Sequence, residues 1–595
     1  MIALILFVLG ILASPFKAKS RREAENAALR QRSRVDGLFV PLGAAAERFT
    51  NGMSKMEPFD SRRPATHVPH GMVASSQPLA AQVGLQVLKE GGNAVDAAIA
   101  VAAMVNVTEP MMNGLGGDAF ILAHWQGKLY GLNASGRCPQ GMTRDTFVRA
   151  GWKHMPQAGW SSVCVPGAPD GYFKLHERFG SKKIADLIEP AAAYAEDGFA
   201  VGQKISQVWE WGTSKLRLSD HSVEEYLLQG KAPQPGEIFR QPNLARTWRA
   251  LGKHGRDFYY TGDLARKIVA ASDAGGGYLK LPDLAGQHSE WTDPISATYR
   301  GHRIVEMPPN GQGLIVLMTL RILEGYDLAA IFRSDIAVVE HLILEAIKLS
   351  FADAERYIGD PHFGHIDVEQ LLSDDFIASR RSLIRMDCAM PTPTTGVLHG
   401  NTTYFTVVDK DRNAVSFITS ISDIFGSGMV AGDTGIILHN RAAEFSLEPG
   451  HPNEIAPGKR PRHSILPAMV FRSDELHMTF GCMGANMQPQ GQVQVLVSMI
   501  DRGMNSQQAI DAPRVRVLGG NRISVESTFP PEVIARLASF GHEIVPGEAP
   551  PGDWLQPHDF MHSFMGSAQA IVINREFGTL CGGSDSRLDG VAIGY

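Results

Sequence analysis

Asn401-Thr-Thr-Tyr-Phe-Thr-Val-Val408 is the stretch on which the reading of this chain turns. It is rich in β-branched and aromatic residues, so it begins a strand. Just before it, Cys388 to Gly400 carries Pro391, Pro393, Gly396 and Gly400, a composition that no regular element accommodates comfortably. After it, Asp409-Lys-Asp-Arg-Asn413 makes a turn, and Ala414 to Ile421 makes a second β-rich run. A linker abutting Asn401–Thr402 at a strand start is a place where a chain can be cut without unfolding the strand beyond it. With that bond cut, Thr402 would carry a free α-amine beside its own Oγ. Such an amine titrates near pH 7.7–8.0 and accepts the hydroxyl proton, so one residue supplies nucleophile and base. On composition alone, a plain strand with threonines accounts for the run more simply.

Outside this segment the chain reads as a globular enzyme. It has 595 residues, a formal net charge of -6 and 20% charged residues. No Lys/Arg stripe is interleaved with aromatics, which excludes a nucleic-acid footprint. Five cysteines (Cys138, Cys164, Cys388, Cys482, Cys581) lie scattered without CxxC spacing, arguing against a disulfide framework and a cysteine zinc site. Residues 1–65 differ from the rest and are read as an N-terminal tail. Its apolar run, Ile2 to Ala13, is too short to span a bilayer comfortably, and Lys17, Lys19, Arg21 and Arg22 come after it. Two readings stay open. Translation starting near Met53 or Met56 implies a cytoplasmic protein. A signal or short anchor in residues 2–13 implies a secreted, periplasmic or membrane-tethered one.

From Gly71 onward the pattern becomes dense. Met72 to Ser76 reads as a strand and Leu79 to Lys89 as a helix with Pro78 in its first turn. Gly91-Gly92 ends that helix and Asn93 caps the next, Ala94 to Val105, which is apolar nearly all round and therefore central to a core. Gly114-Leu-Gly-Gly117 runs into a strand, Ala119 to Trp125. It lacks the strand-loop-helix context of a phosphate site, so close backbone packing is the reading. Residues 170–390 are largely helical, with Ile336 to Tyr357 the clearest helix. Its His, Glu and Asp residues make no HExxH or similar spacing, so a solvated or salt-bridged face is expected and no metal site.

Taken together, several motifs resemble the gamma-glutamyltranspeptidase family. They are Gly91-Gly-Asn-Ala-Val-Asp-Ala-Ala98, Asn113-Gly-Leu-Gly-Gly117, Met307-Pro-Pro309, Glu345-Ala-Ile-Lys-Leu-Ser-Phe-Ala-Asp353, Thr402 to Asp409, and Phe425-Gly-Ser-Gly428. The resemblance implies an α+β, four-layer αββα N-terminal-nucleophile sandwich. It also implies self-cleavage between Asn401 and Thr402 into a large subunit (66–401) and a small catalytic one (402–595), without metal or organic cofactor. By position, Thr402 matches the nucleophile and Thr403 stands next to it as in the family. Ser420 takes the place of a supporting hydroxyl, and Gly484 and Ala485 that of the backbone oxyanion donors, with Ala485 replacing a glycine.

For substrate binding, Glu444 sits where an acidic residue grips an α-amine, and Arg441 and Ser422 stand where glutamine- and asparagine-like residues are usual. His463-Ser464 replaces a serine pair, and Arg137 lies near the place of a carboxylate-clamping arginine. Arg441, Arg462 and His463 flank the expected pocket and would suit an anionic substrate. The segment from Glu444 to Lys459 is short for a lid, as in an acylase-like branch of the family. The default activity is hydrolysis or transfer of gamma-glutamyl amides such as glutathione. The alternatives are an acylase for another small anionic amide, oxamate-like or cephalosporin side-chain-like, and a catalytically silent homologue. Pairing of two heterodimers stays open.

Overall fold

Helix Ala94–Thr108 is buried at every position, as its all-round apolar surface requires. It runs one turn beyond the expected Val105, with Thr108 Oγ1 bonded back to the Met104 carbonyl at 2.9 Å. At its start Asn93 and Asp96 form a reciprocal capping box. This computed structural model describes residues 61, 63–391, 401–545 and 565–595. The expected tail therefore lies almost wholly outside the described residues, as does most of the linker before Asn401. Among the described residues no helix is long and apolar enough to cross a membrane.

Two seven-stranded sheets form the centre. The first runs in the order Val591–Gly594, Met72–Ser75, Asn401–Val408, Ala414–Ser422, Asp118–Trp125, Lys128–Ala134, Glu290–Thr292. The second runs Thr66–Val68, Thr579–Ser584, Ser567–Asn574, Glu475–Met483, Pro467–Arg472, His302–Glu306, Ile295–Tyr299. They face one another through side chains such as Tyr404, which lies against Gly481, and Thr406, whose hydroxyl lies 2.8 Å from that of Thr479, with Met469 and Ile571 on the same inner side. Helices Pro78–Lys89 and Ala94–Thr108 cover the outer face of the first sheet, and Gly313–Leu323 and Met487–Ile500 that of the second. The result is the four-layer αββα sandwich. Strands from before and after Thr402 alternate within both sheets, so neither half of the sequence owns a sheet.

The Gly114–Gly117 loop packs as its glycines suggest. A Cβ on Gly116 would strike the backbone of Ile437, and one on Gly117 the carbonyl of Ser420. Helix Ile336–Tyr357 has the expected bounds, but its polar residues are not a solvated face. His341, Glu345 and Lys348 are buried, and Lys348 Nζ pairs with Glu345 at 2.7 Å. The reason is tertiary. The strand at Val515–Gly519 and helix Pro531–Ser539 cover this side of the helix.

Candidate active site

Thr402 lies near the start of strand Asn401–Val408, and the pairing is irregular there. Asn401 faces Ser422 while Thr403 faces Thr419, so three residue steps on the partner strand oppose two on this one. Such a bulge re-aims a side chain. Here Ser420 sits within it, and Thr402 Oγ1 donates to Ser420 Oγ at 3.4 Å. Ser422 has a left-handed φ of 76°, and its backbone N–H donates to Ser420 Oγ at 2.9 Å. Strained backbone of this kind clusters at functional sites.

Thr403 is held by a second set of groups. Asn113 Nδ2 donates to its Oγ1 at 2.8 Å, and that hydroxyl donates to Glu109 Oε2 at 2.6 Å. Ser76 Oγ donates to the same Glu109 oxygen at 3.0 Å. Burial pushes the Glu109 carboxyl up to about 7, against the lowering effect of these two hydroxyls. In the folded chain it therefore keeps a proton that the unfolded chain releases from about pH 4.5 upward. The ionisation weakens the fold as pH rises from there to about 7. Glu109→Gln is expected to gain on the parent across that window, by up to roughly 3 kcal/mol. Urea unfolding at a series of pH values measures it, and parallel curves for the two proteins would exclude the ionisation.

The oxyanion positions lie where strand Glu475–Met483 meets helix Met487–Ile500. Gly484 and Ala485 have φ of 121° and 52°. Their carbonyls accept from Met487 and Gln488, which starts the helix and leaves the loop at its positive end. Ala485 is in the left-handed region despite its Cβ, so the loop holds its shape against a steric cost of about 1–2 kcal/mol. Gln488, in the first turn, belongs to no motif that marks it in the sequence. Its Nε2 donates to Thr402 Oγ1 at 3.0 Å.

Arg441 is fully buried and reaches Thr402 through Ser420. Its guanidinium donates to Ser420 Oγ at 3.1 Å and Ser464 Oγ at 3.2 Å, and lies 3.7 Å from Glu444. A second residue that sequence reasoning misses, Asp118, anchors this group. It stands opposite Ser420 in the neighbouring strand. Its Oδ1 accepts from the backbone N–H of Gly136 and Gly167 at 2.8 and 3.1 Å. Its Oδ2 lies 3.0 Å from His463 Nε2, 3.2 Å from His439 Nδ1 and 3.7 Å from Arg441 Nε. Burial alone would raise its pKa, but the facing imidazoles of His439 and His463, the latter hydrogen-bonded to it, outweigh that and hold it well below the carboxylate range. Burial, then the neighbouring Arg441, pushes His463 down to about 3, so it is a neutral, orienting imidazole. Burial raises Glu444 to about 7 against the opposing pull of Arg441 and Arg462.

The structure thus brings Thr402, Ser420, Ser422, Arg441, Glu444, His463 and Ser464 into one connected set. Arg137 and Arg462 are held elsewhere. Arg137 pairs with Glu290 at 2.6 Å, in an ionic cluster that includes Arg460, and Arg462 pairs with Glu355. Among the described residues, His341, Glu345 and His542 are a group with metal-ligand chemistry. Both His341 nitrogens, His542 Nε2 and both Glu345 oxygens are already engaged. The two rings bond each other at 2.9 Å, His341 Nε2 donates to the Arg385 carbonyl at 2.7 Å, and Glu345 takes Lys348 and the Met390 N–H.

A buried threonine hydroxyl at the start of a central strand, a helix start whose Gln488 reaches that hydroxyl and an αββα sandwich are the arrangement of an N-terminal-nucleophile hydrolase. The gamma-glutamyltranspeptidase profile matches residues 80–595, and the chain belongs to that family. It is 38% identical over 534 residues to the glutathione hydrolase-like YwrD proenzyme of Bacillus subtilis, covering 88% of this chain and 98% of that one. It is 35% identical over 539 residues to the oxamate amidohydrolase proenzyme of Klebsiella pneumoniae, with coverages of 88% and 98%. The structure resembles cephalosporin acylase from Bacillus halodurans with a TM-score of 0.83 and 39% identity, covering 91% of this chain and 99% of that one. The first two of these relatives carry the name proenzyme, that of a precursor.

Proposed function

We propose that this chain is a self-processing amidohydrolase whose acyl donor carries a carboxylate close to the scissile carbonyl. In the first step Thr402 Oγ attacks the Asn401 carbonyl, the Asn401–Thr402 C–N bond breaks and its nitrogen, taking the Oγ proton, becomes the free α-amine. Water then cleaves the ester to release the Thr402 hydroxyl and the Asn401 carboxylate. That amine then takes the Oγ proton when the hydroxyl attacks a substrate amide. The observation that carries the reading is the short chain from Thr402 Oγ through Ser420 Oγ to the Arg441 guanidinium. A carboxylate on Arg441 would lie only two hydrogen bonds from the nucleophile, which favours a short acyl group of the oxamate type. Glu444 already neighbours Arg441, so it is less open to an α-amine than a lone carboxylate would be.

A second reading, gamma-glutamyl amides such as glutathione, draws support from Glu444 Oε2. That buried oxygen has no hydrogen-bond partner among the described residues and would accept from a substrate ammonium. Ammonia release from oxamate, set against glutamate release from glutathione, separates the two. The expected result is the larger kcat/KM on oxamate. The opposite order would overturn the short-acyl reading and leave the gamma-glutamyl one.

A further inference from the structure

Gln488 touches the reacting oxygen and is fixed from its other end. The Leu466 backbone N–H donates to Gln488 Oε1 at 3.0 Å, and only the carbonyl end of the carboxamide can accept it. The NH2 end is thereby directed at Thr402 Oγ1, 3.0 Å away. The amide orientation is thus set by hydrogen-bond chemistry rather than by choice. The side chain is fully buried, and it leaves the same helix start that carries Gly484 and Ala485. The Thr402 hydroxyl receives a hydrogen bond on this side, while its own proton points to Ser420 on the other.

We infer that Gln488 is a further catalytic residue, a side-chain donor that holds Thr402 Oγ and disperses charge on it during acyl transfer. The inference rests on Thr402 being the nucleophile. In that step the Oγ–H proton passes to the Thr402 α-amine as the Oγ–C bond forms. The C–N bond of the substrate amide then breaks, and the leaving nitrogen takes the proton from the ammonium. Water later cleaves the ester and regenerates the hydroxyl. Negative charge builds on Oγ, facing Gln488, as the proton leaves, and moves to the carbonyl oxygen, expected at the Gly484 and Ala485 amides, as the Oγ–C bond forms. A donor aimed at developing charge in a buried site acts without reorganising.

Two variants test this, each taken through gel processing, kcat and KM on the amide that the parent hydrolyses, and thermal unfolding. Gln488→Leu removes the donor and is expected to lower kcat by roughly 10²-fold while KM stays within about threefold. Gln488→Glu keeps an acceptor for Leu466, but at neutral pH it offers Thr402 only lone pairs. Its kcat relative to the parent is expected to rise as pH falls and the new carboxyl regains a proton to donate. A packing role would give a profile parallel to the parent. Parallel profiles, or kcat within threefold in Gln488→Leu, would overturn the assignment of Gln488 alone. A parent chain that stays uncut, or a Thr402→Ala chain that still matures, would overturn the nucleophile reading and this inference with it.

Discussion

Thr402→Ala is expected to leave a single 595-residue chain on a denaturing gel, where the parent gives fragments of 401 and 194 residues. Amide hydrolysis is expected to fall by on the order of 10⁶, the scale for losing a catalytic nucleophile. Both effects have one cause. The oxygen that would attack the Asn401 carbonyl is the oxygen that would attack the substrate. Thr402→Ser keeps that oxygen and is expected to mature and turn over. The contrast separates loss of chemistry from loss of fold, since alanine and serine both remove the buried methyl. A mature Thr402→Ala protein, seen by gel or by N-terminal sequencing, would end the assignment.

The second large effect is expected at Asp118. Its carboxylate has five polar neighbours and is fully buried. Asp118→Ala leaves the Arg441 guanidinium and two imidazoles without the carboxylate they face, the situation in which breaking a buried ion pair costs about 3–5 kcal/mol. Because the carboxyl is held well below its unfolded value of 3.8, the stabilisation is complete above that value and is lost as pH falls below it toward the depressed folded value. The gap between parent and variant in urea unfolding is therefore widest near neutral pH and closes in acid. Arg441 also loses its fixed orientation, and a displacement of that kind lowers kcat/KM by roughly 10²-fold. Equal stability at pH 7 would show that Asp118 is not the anchor.

These residues differ in how far the sequence reveals them. Strand Asn401–Val408, the capped apolar helix and the helix Ile336–Tyr357 are legible from local pattern, because capping and burial act within a few residues. Thr402, Ser420 and Arg441 become visible only through short motifs compared with a family. Asp118 stays hidden because the Gly114–Gly117 loop is legible for its glycines, and the next residue merges into the strand. Register across two strands, rather than proximity in sequence, sets it opposite Ser420. Gln488 and Glu109 are hidden likewise, each reaching the Thr402–Thr403 pair across several hundred residues or across a layer boundary. The polar face of Ile336–Tyr357 misleads because charge pattern alone cannot say what packs on top of it.

Alternation of strands from before and after residue 402 ties the timing of maturation to folding. Severed early, the chain would yield two incomplete pieces, each with unpaired strand edges that invite aggregation. Severed late, it yields two pieces so interwoven that separating them means dismantling both sheets. The Thr402 hydroxyl is held by Ser420 from the neighbouring strand and by Gln488 from the helix layer beyond the second sheet. On the proposed self-cleavage, maturation would serve as a checkpoint, because only a precursor that has already assembled this centre could cut itself.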